Sequence, residues 1–162
     1  MATDFEPIQH KNTEFLVQSL REARKDITDT DIQKQISAVL RLVNHVEYLT
    51  RDLIRNLRRL TKVTTYKKFN GVFFWPFDNE ENDLKRAPLG SLIKELSEFN
   101  FPDRITLLEL LGKFNSNRIK LIHKLLDEPP DGILIAKLLE DFDNIFLRYR
   151  SIQTEMLSNW PS

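Results

Sequence analysis

The sequence predicts an all-α protein, a four- to five-helix up-and-down bundle. Three observations carry that expectation. Apolar residues recur at threes and fours over several long segments, the period of a helix rather than a strand. The joints between these segments are mostly short and polar, and no convincing parallel strand is present. At 162 residues, 41% hydrophobic and 30% charged, the chain is one domain able to bury a real core, with no internal repeat.

Residues 1–10 read as a flexible tail, with Pro7 discouraging an early helix. Asn12 and Thr13 suit the cap of a short helix reaching about Lys25, with Phe15, Leu16 and Leu20 as its apolar face. After a polar joint, Thr30 is the expected N-cap of a long helix running to about Val63. Its apolar series is Ile32, Ile36, Leu40, Val43, Val46, Leu53, Leu57 and Leu60. Such a helix is about 50 Å long, the main pillar of a bundle.

Residues 64–88 break the pattern and form a long aromatic-rich connection. They run from Thr64 through Tyr66, Phe69, Phe73, Phe74, Trp75 and Phe77 into the acidic stretch 78–83, with a short hairpin expected around Asn70-Gly71. A connection this long is either functional or a cover for one end of the bundle. Pro88 sets up the next helix, with Leu89, Leu92, Ile93 and Leu96 as its stripe, ended by Asn100 to Pro102. Asp103 opens a helix over 104–126. The turn Pro129-Pro130-Asp131-Gly132 precedes a last helix over about 133–158, which carries Ile135, Leu138, Phe142, Ile145, Phe146, Tyr149, Ile152 and Met156 on one side.

Composition excludes more than it assigns. There is no cysteine, hence no disulfide and no thiolate metal site, in keeping with a cytoplasmic setting. Formal net charge is zero, so a nucleic-acid site would have to be a local patch. No apolar run approaches the roughly 20 residues of a membrane span, and Met1 to His10 lacks a signal-peptide pattern. The three histidines, His10, His45 and His123, come without HExxH or an acidic metal loop, so neither a metal nor another cofactor is expected. A phosphate-cradling glycine loop and a GxSxG elbow are likewise missing.

One stretch stands out chemically. Phe114-Asn115-Ser116-Asn117-Arg118-Ile119-Lys120-Leu121-Ile122-His123 places an Arg and a His with four residues between them, behind Asn-rich polar residues. At 100° per residue Arg118 falls inside the apolar stripe of Leu107, Leu111, Phe114, Leu121, Ile122 and Leu125, where a guanidinium is costly without a partner or a wet cleft. His123 is about 140° round the helix, so on a straight helix the two do not converge. They can meet if the helix restarts at Asn115-Ser116-Asn117, or across a dimer. Otherwise Arg118 is a structural Arg bonded to an acid on another helix and His123 a surface histidine.

The R-x4-H spacing resembles the signature of the HEPN domains, small helical bundles of prokaryotic toxins and antiviral systems, many of them metal-independent ribonucleases. The resemblance spans about residues 32–157 and includes Leu89-Gly90-Ser91-Leu92-Ile93 at the start of the second family helix. It implies a HEPN-like bundle and a homodimer whose two sites face one another at a cleft. It also implies RNA cleaved by its own 2′-OH, with Arg118 stabilising the phosphate and His123 moving protons. Glu47 matches the acidic or polar residue that the family carries on its first long helix; with Asn115 and Asn117 it is a candidate for positioning. One departure concerns catalysis: active members usually place a polar residue, often Asn, directly after the Arg, and this chain has Ile119 there.

Arg51, Arg55, Arg58, Arg59 and Lys62 lie at helical spacing on the long helix, and with the aromatics that follow they form a candidate RNA-binding edge. The alternative is a solvated charged face, or one neutralised by Asp52 and the acids of 78–83. Two functions from different classes follow. One is a metal-independent endoribonuclease of the toxin or defence type. The other is a non-catalytic HEPN-like module that binds a nucleotide or a partner protein such as an antitoxin or regulator.

Overall fold

The computed structural model describes residues 13–68, 81–128 and 131–161. They form six helices: α1 (Thr13–Asp26), α2 (Ile32–Lys68), α3 (Glu81–Lys85), α4 (Leu89–Ser97), α5 (Arg104–Asp127) and α6 (Gly132–Ser158). No strand occurs among the described residues, as the helical periodicity requires. The N-terminal tail and the hairpin expected at Asn70-Gly71 lie outside them. No described helix is long and apolar enough to cross a membrane.

α2, at 37 residues, spans about 55 Å and is the pillar of the bundle. It packs against α1, α4, α5 and α6, and α3 touches it as well. Its cap is Asp31 rather than Thr30: the Asp31 carboxylate accepts the Gln33 N–H at 2.9 Å. Its C-terminus runs to Lys68, and Thr61 and Thr64 donate their hydroxyls to the Leu57 and Leu60 carbonyls one turn back. The expected long connection is thus shorter at its start, and α3 forms at its end.

The buried line differs in part from the expected one. Ala38, Val39, Leu42, Val43, Val46, Leu53, Ile54 and Leu57 are buried, whereas Ile32 and Leu40 are about half exposed. On α1 the buried residue is Ala23, with Ile27 buried in the turn just after it, and Phe15 is 73% exposed. The ion pairs between α1 and α2, from Arg41 to Glu22 and Asp26, fall in the C-terminal half of α1, and its burial lies there too. Leu89, Leu92 and Leu96 of α4, Leu107, Leu111, Phe114 and Leu121 of α5, and seven residues of α6 from Ile135 to Met156 complete one core. Phe146 stacks on Phe142 at 6.5 Å but stays at the surface.

α5 is continuous, with no restart at Asn115-Ser116-Asn117. The two asparagine side chains bond to Arg118 and to Asp141 of α6 and so do not compete for their own backbone. Asp103 occupies the N-cap position with a left-handed backbone, φ 62°, and makes no side-chain cap; its carboxylate pairs with Arg148 of α6 instead. Asp131 does cap α6, accepting the Ile133 N–H at 3.0 Å. That bond holds its carboxyl below the usual range.

Two polar groups inside the core yield predictions. Thr50 donates its hydroxyl to the Val46 carbonyl at 2.6 Å and accepts from the Tyr149 hydroxyl of α6 at 2.6 Å. Burial pushes the Tyr149 phenol far above its ordinary value, so it stays protonated. Tyr149→Phe is expected to cost about 1 kcal/mol in urea unfolding, since the Thr50 hydroxyl keeps its bond to the Val46 carbonyl.

His45 is 7% exposed on α2, and burial lowers its pKa below 6.5. The unfolded chain therefore binds more protons than the fold in acid. Stability is full above about pH 6.5 and falls as pH drops through the window below it. Urea midpoints measured down this window are expected to fall less steeply for His45→Gln than for the parent chain.

Candidate functional site

The site is built on Glu47. Leu89 opens α4, so its N–H has no acceptor within that helix, and Pro88 in the N-cap position has no side chain to supply one. Glu47 reaches across from α2 and caps the helix: its Oε1 accepts the Leu89 N–H at 3.2 Å. The positive end of the α4 dipole favours a carboxylate at this point.

Two arginines complete the cluster. Arg51, one turn along α2, places Nη2 at 3.3 Å from Glu47 Oε2 and donates to the carbonyls of Leu84, at 2.8 Å, and Ala87, at 3.1 Å. It therefore holds the α3–α4 joint. Arg118 comes from α5, with Nη1 at 3.8 Å from Glu47 Oε1 and Nε donating to Asn115 Oδ1 at 2.8 Å. Asn115 also lies beside the start of α4, its Nδ2 at 3.9 Å from where a Cβ on Gly90 would be. Glu47 and Arg118 have side chains only 15% and 18% exposed.

The structure thus brings together Glu47, Asn115, Arg118 and Arg51. It does not bring His123 to them. His123 is exposed, and along the uninterrupted α5 it stays about 140° from Arg118. Asn117 turns away as well, donating to Asp141 of α6 at 3.0 Å. A cavity of 140 Å³ at another place, lined by Leu57, Leu60, Phe101, Pro102, Ile152 and Met156 among others, is touched by neither Arg118 nor His123.

The basic edge expected on α2 is not a free one. Arg51 is committed to Glu47 and two carbonyls. Arg55 pairs with buried Asp52 at 3.3 Å, and Arg58 with Glu95 at 2.9 Å and Asp83 at 3.7 Å. Arg59 and Lys62 are half-buried and also engaged. Arg51 and Arg58 reach the segments packed on α2 and Arg55 is held by Asp52 of its own helix, so these three work as internal ties. Sequence reasoning missed the Leu89 N–H and the Leu84 and Ala87 carbonyls, since backbone partners carry no residue-type signal. The spacing of Glu47 and Arg51, four apart, was the one available clue. Among the described residues no group of three or more His, Asp or Glu could hold a metal ion.

No family model, no curated protein and no solved structure matches the chain.

The cluster predicts an unequal pair of substitutions. Glu47→Ala leaves two half-buried guanidinium groups and an uncapped α4, and is expected to cost about 2–4 kcal/mol in urea unfolding. Glu47→Gln keeps an acceptor for the Leu89 N–H and is expected to cost less than half as much.

Proposed function

We propose that the chain is a HEPN-like helical module that acts by binding a partner and does not cut RNA. The observation that supports this reading is the commitment of Arg118. Its guanidinium ties α5 to Glu47 of α2 and to Asn115, a structural arrangement, while His123 stands exposed on a different face of the same helix. Phosphoryl transfer requires the proton carrier and the phosphate-binding cation at one reacting group. Within one chain these two side chains do not share one. Ile119, in place of the polar residue that active relatives carry after the Arg, points the same way.

A second reading rests on a specific feature of the same cluster. Glu47 and Asn115 hold Arg118 from two sides, as positioning residues of a metal-independent endoribonuclease of the toxin or defence type would. In that reading Arg118 stabilises the scissile phosphate and a second chain supplies His123.

RNA cleavage in the presence of EDTA separates the two. Incubated with single-stranded and structured RNAs, the parent chain is expected to leave them intact, and Arg118→Ala to show lowered stability as its only defect. Cleavage by the parent chain that disappears in both Arg118→Ala and His123→Ala, with all three folded, would establish the nuclease and discard the binding reading.

A further inference from the structure

α5 has a second face that the bundle does not use. Ile105, Glu109, Gly112, Ser116, Ile119 and His123 fall within an arc of roughly 80°, and all six are exposed. Ile105 is 70% exposed and Ile119 44%, two large aliphatic side chains on one line of one helix.

Gly112 lies between them, seven residues from each. Glycine is the poorest helix former after proline, and this one sits well inside α5. A Cβ built on it would meet nothing within 4 Å. Nothing among its neighbours in the chain therefore calls for a glycine. What a bare Cα offers at such a place is close approach of another backbone.

The pattern selects the partner. Read in either direction the stripe is Ile, Gly, Ile at seven-residue spacing, so an antiparallel copy of α5 crossing at Gly112 sets Ile105 of each copy against Ile119 of the other. Seven-residue spacing suits two helices crossing at roughly 20°. The same operation brings Glu109 of one copy within a turn of Lys113 of the other, twice over. Glu109 and Lys113 are both exposed and pair neither with each other nor with another described residue. Shape and charge are both self-complementary, as a two-fold interface requires.

We infer that α5 is a self-association seam, and that the chain forms a two-fold dimer by antiparallel packing of α5 on α5 centred at Gly112. This rests on the binding reading and names its partner, a second copy of the chain. It differs from the cleft implied by the HEPN resemblance. Arg118 lies about 140° from the midline of the seam, so the two Arg118 side chains stay within their own bundles and only His123 joins the contact face.

The test is the mass in solution, by sedimentation, across roughly 1–300 µM protein. The parent chain is expected to reach the dimer mass. Ile119→Glu, an exposed position whose change leaves the helical circular dichroism intact, is expected to weaken association by tenfold or more. Glu109→Lys and Lys113→Glu should each weaken it, and the double swap Glu109→Lys/Lys113→Glu should restore it. A parent chain that stays monomeric throughout, an Ile119→Glu variant that dimerises normally, or a swap that restores nothing overturns the seam. RNA cleavage dependent on Arg118 and His123 overturns the binding reading and leaves the sedimentation result to decide the seam on its own.

Discussion

The structure turns on one carboxylate. Glu47 meets the first N–H of α4, the guanidinium of Arg51 and that of Arg118. Through these contacts the pillar helix is tied to α4, to the joint before it and to α5. An ion cluster this little exposed gains modestly when complete, because the desolvation of each charge offsets much of the attraction. Removing one member is costly, since the others are then left without compensation. The cluster therefore sets the register of three helices more than it adds to stability, and the aliphatic core supplies the bulk of the driving force.

The same cluster decides how Arg118 should be understood. A guanidinium in an apolar stripe needs either a partner or water, and here it has the partner. Asn115, one turn back, takes Nε and stands next to Gly90, so the polar stretch before the Arg is part of the packing between α4 and α5. Residues that looked like a catalytic approach are also the means by which a charged side chain is accommodated. On the far side, α5 carries Ile105 and Ile119 outward among Glu109, Ser116 and His123, a mixed face that the bundle leaves open.

The basic residues of α2 show the limit of reading charge from spacing. Arg55 and Arg58 share a helical side, as expected, but Arg55 is bound by Asp52 of its own helix and Arg58 by Glu95 of α4 and Asp83 of α3. Periodicity places residues on a face of a helix. It does not say what lies opposite, because that depends on contacts between segments tens of residues apart.

By itself the sequence determined the helical class, the positions of α4, α5 and α6 to within a few residues, and most of the buried series of α5 and α6, with Phe146 at the surface instead. These follow from local periodicity, prolines and polar joints, which act within a few residues of one another. It also singled out Glu47, Asn115 and Arg118. Only the tertiary structure decided that these three meet, and that α5 runs without a restart and leaves His123 apart from Arg118. The first outcome depends on the bare N–H at the start of α4, which draws Glu47 across from α2. Such groups have no side chain of their own, and nothing in the order of residues announces them.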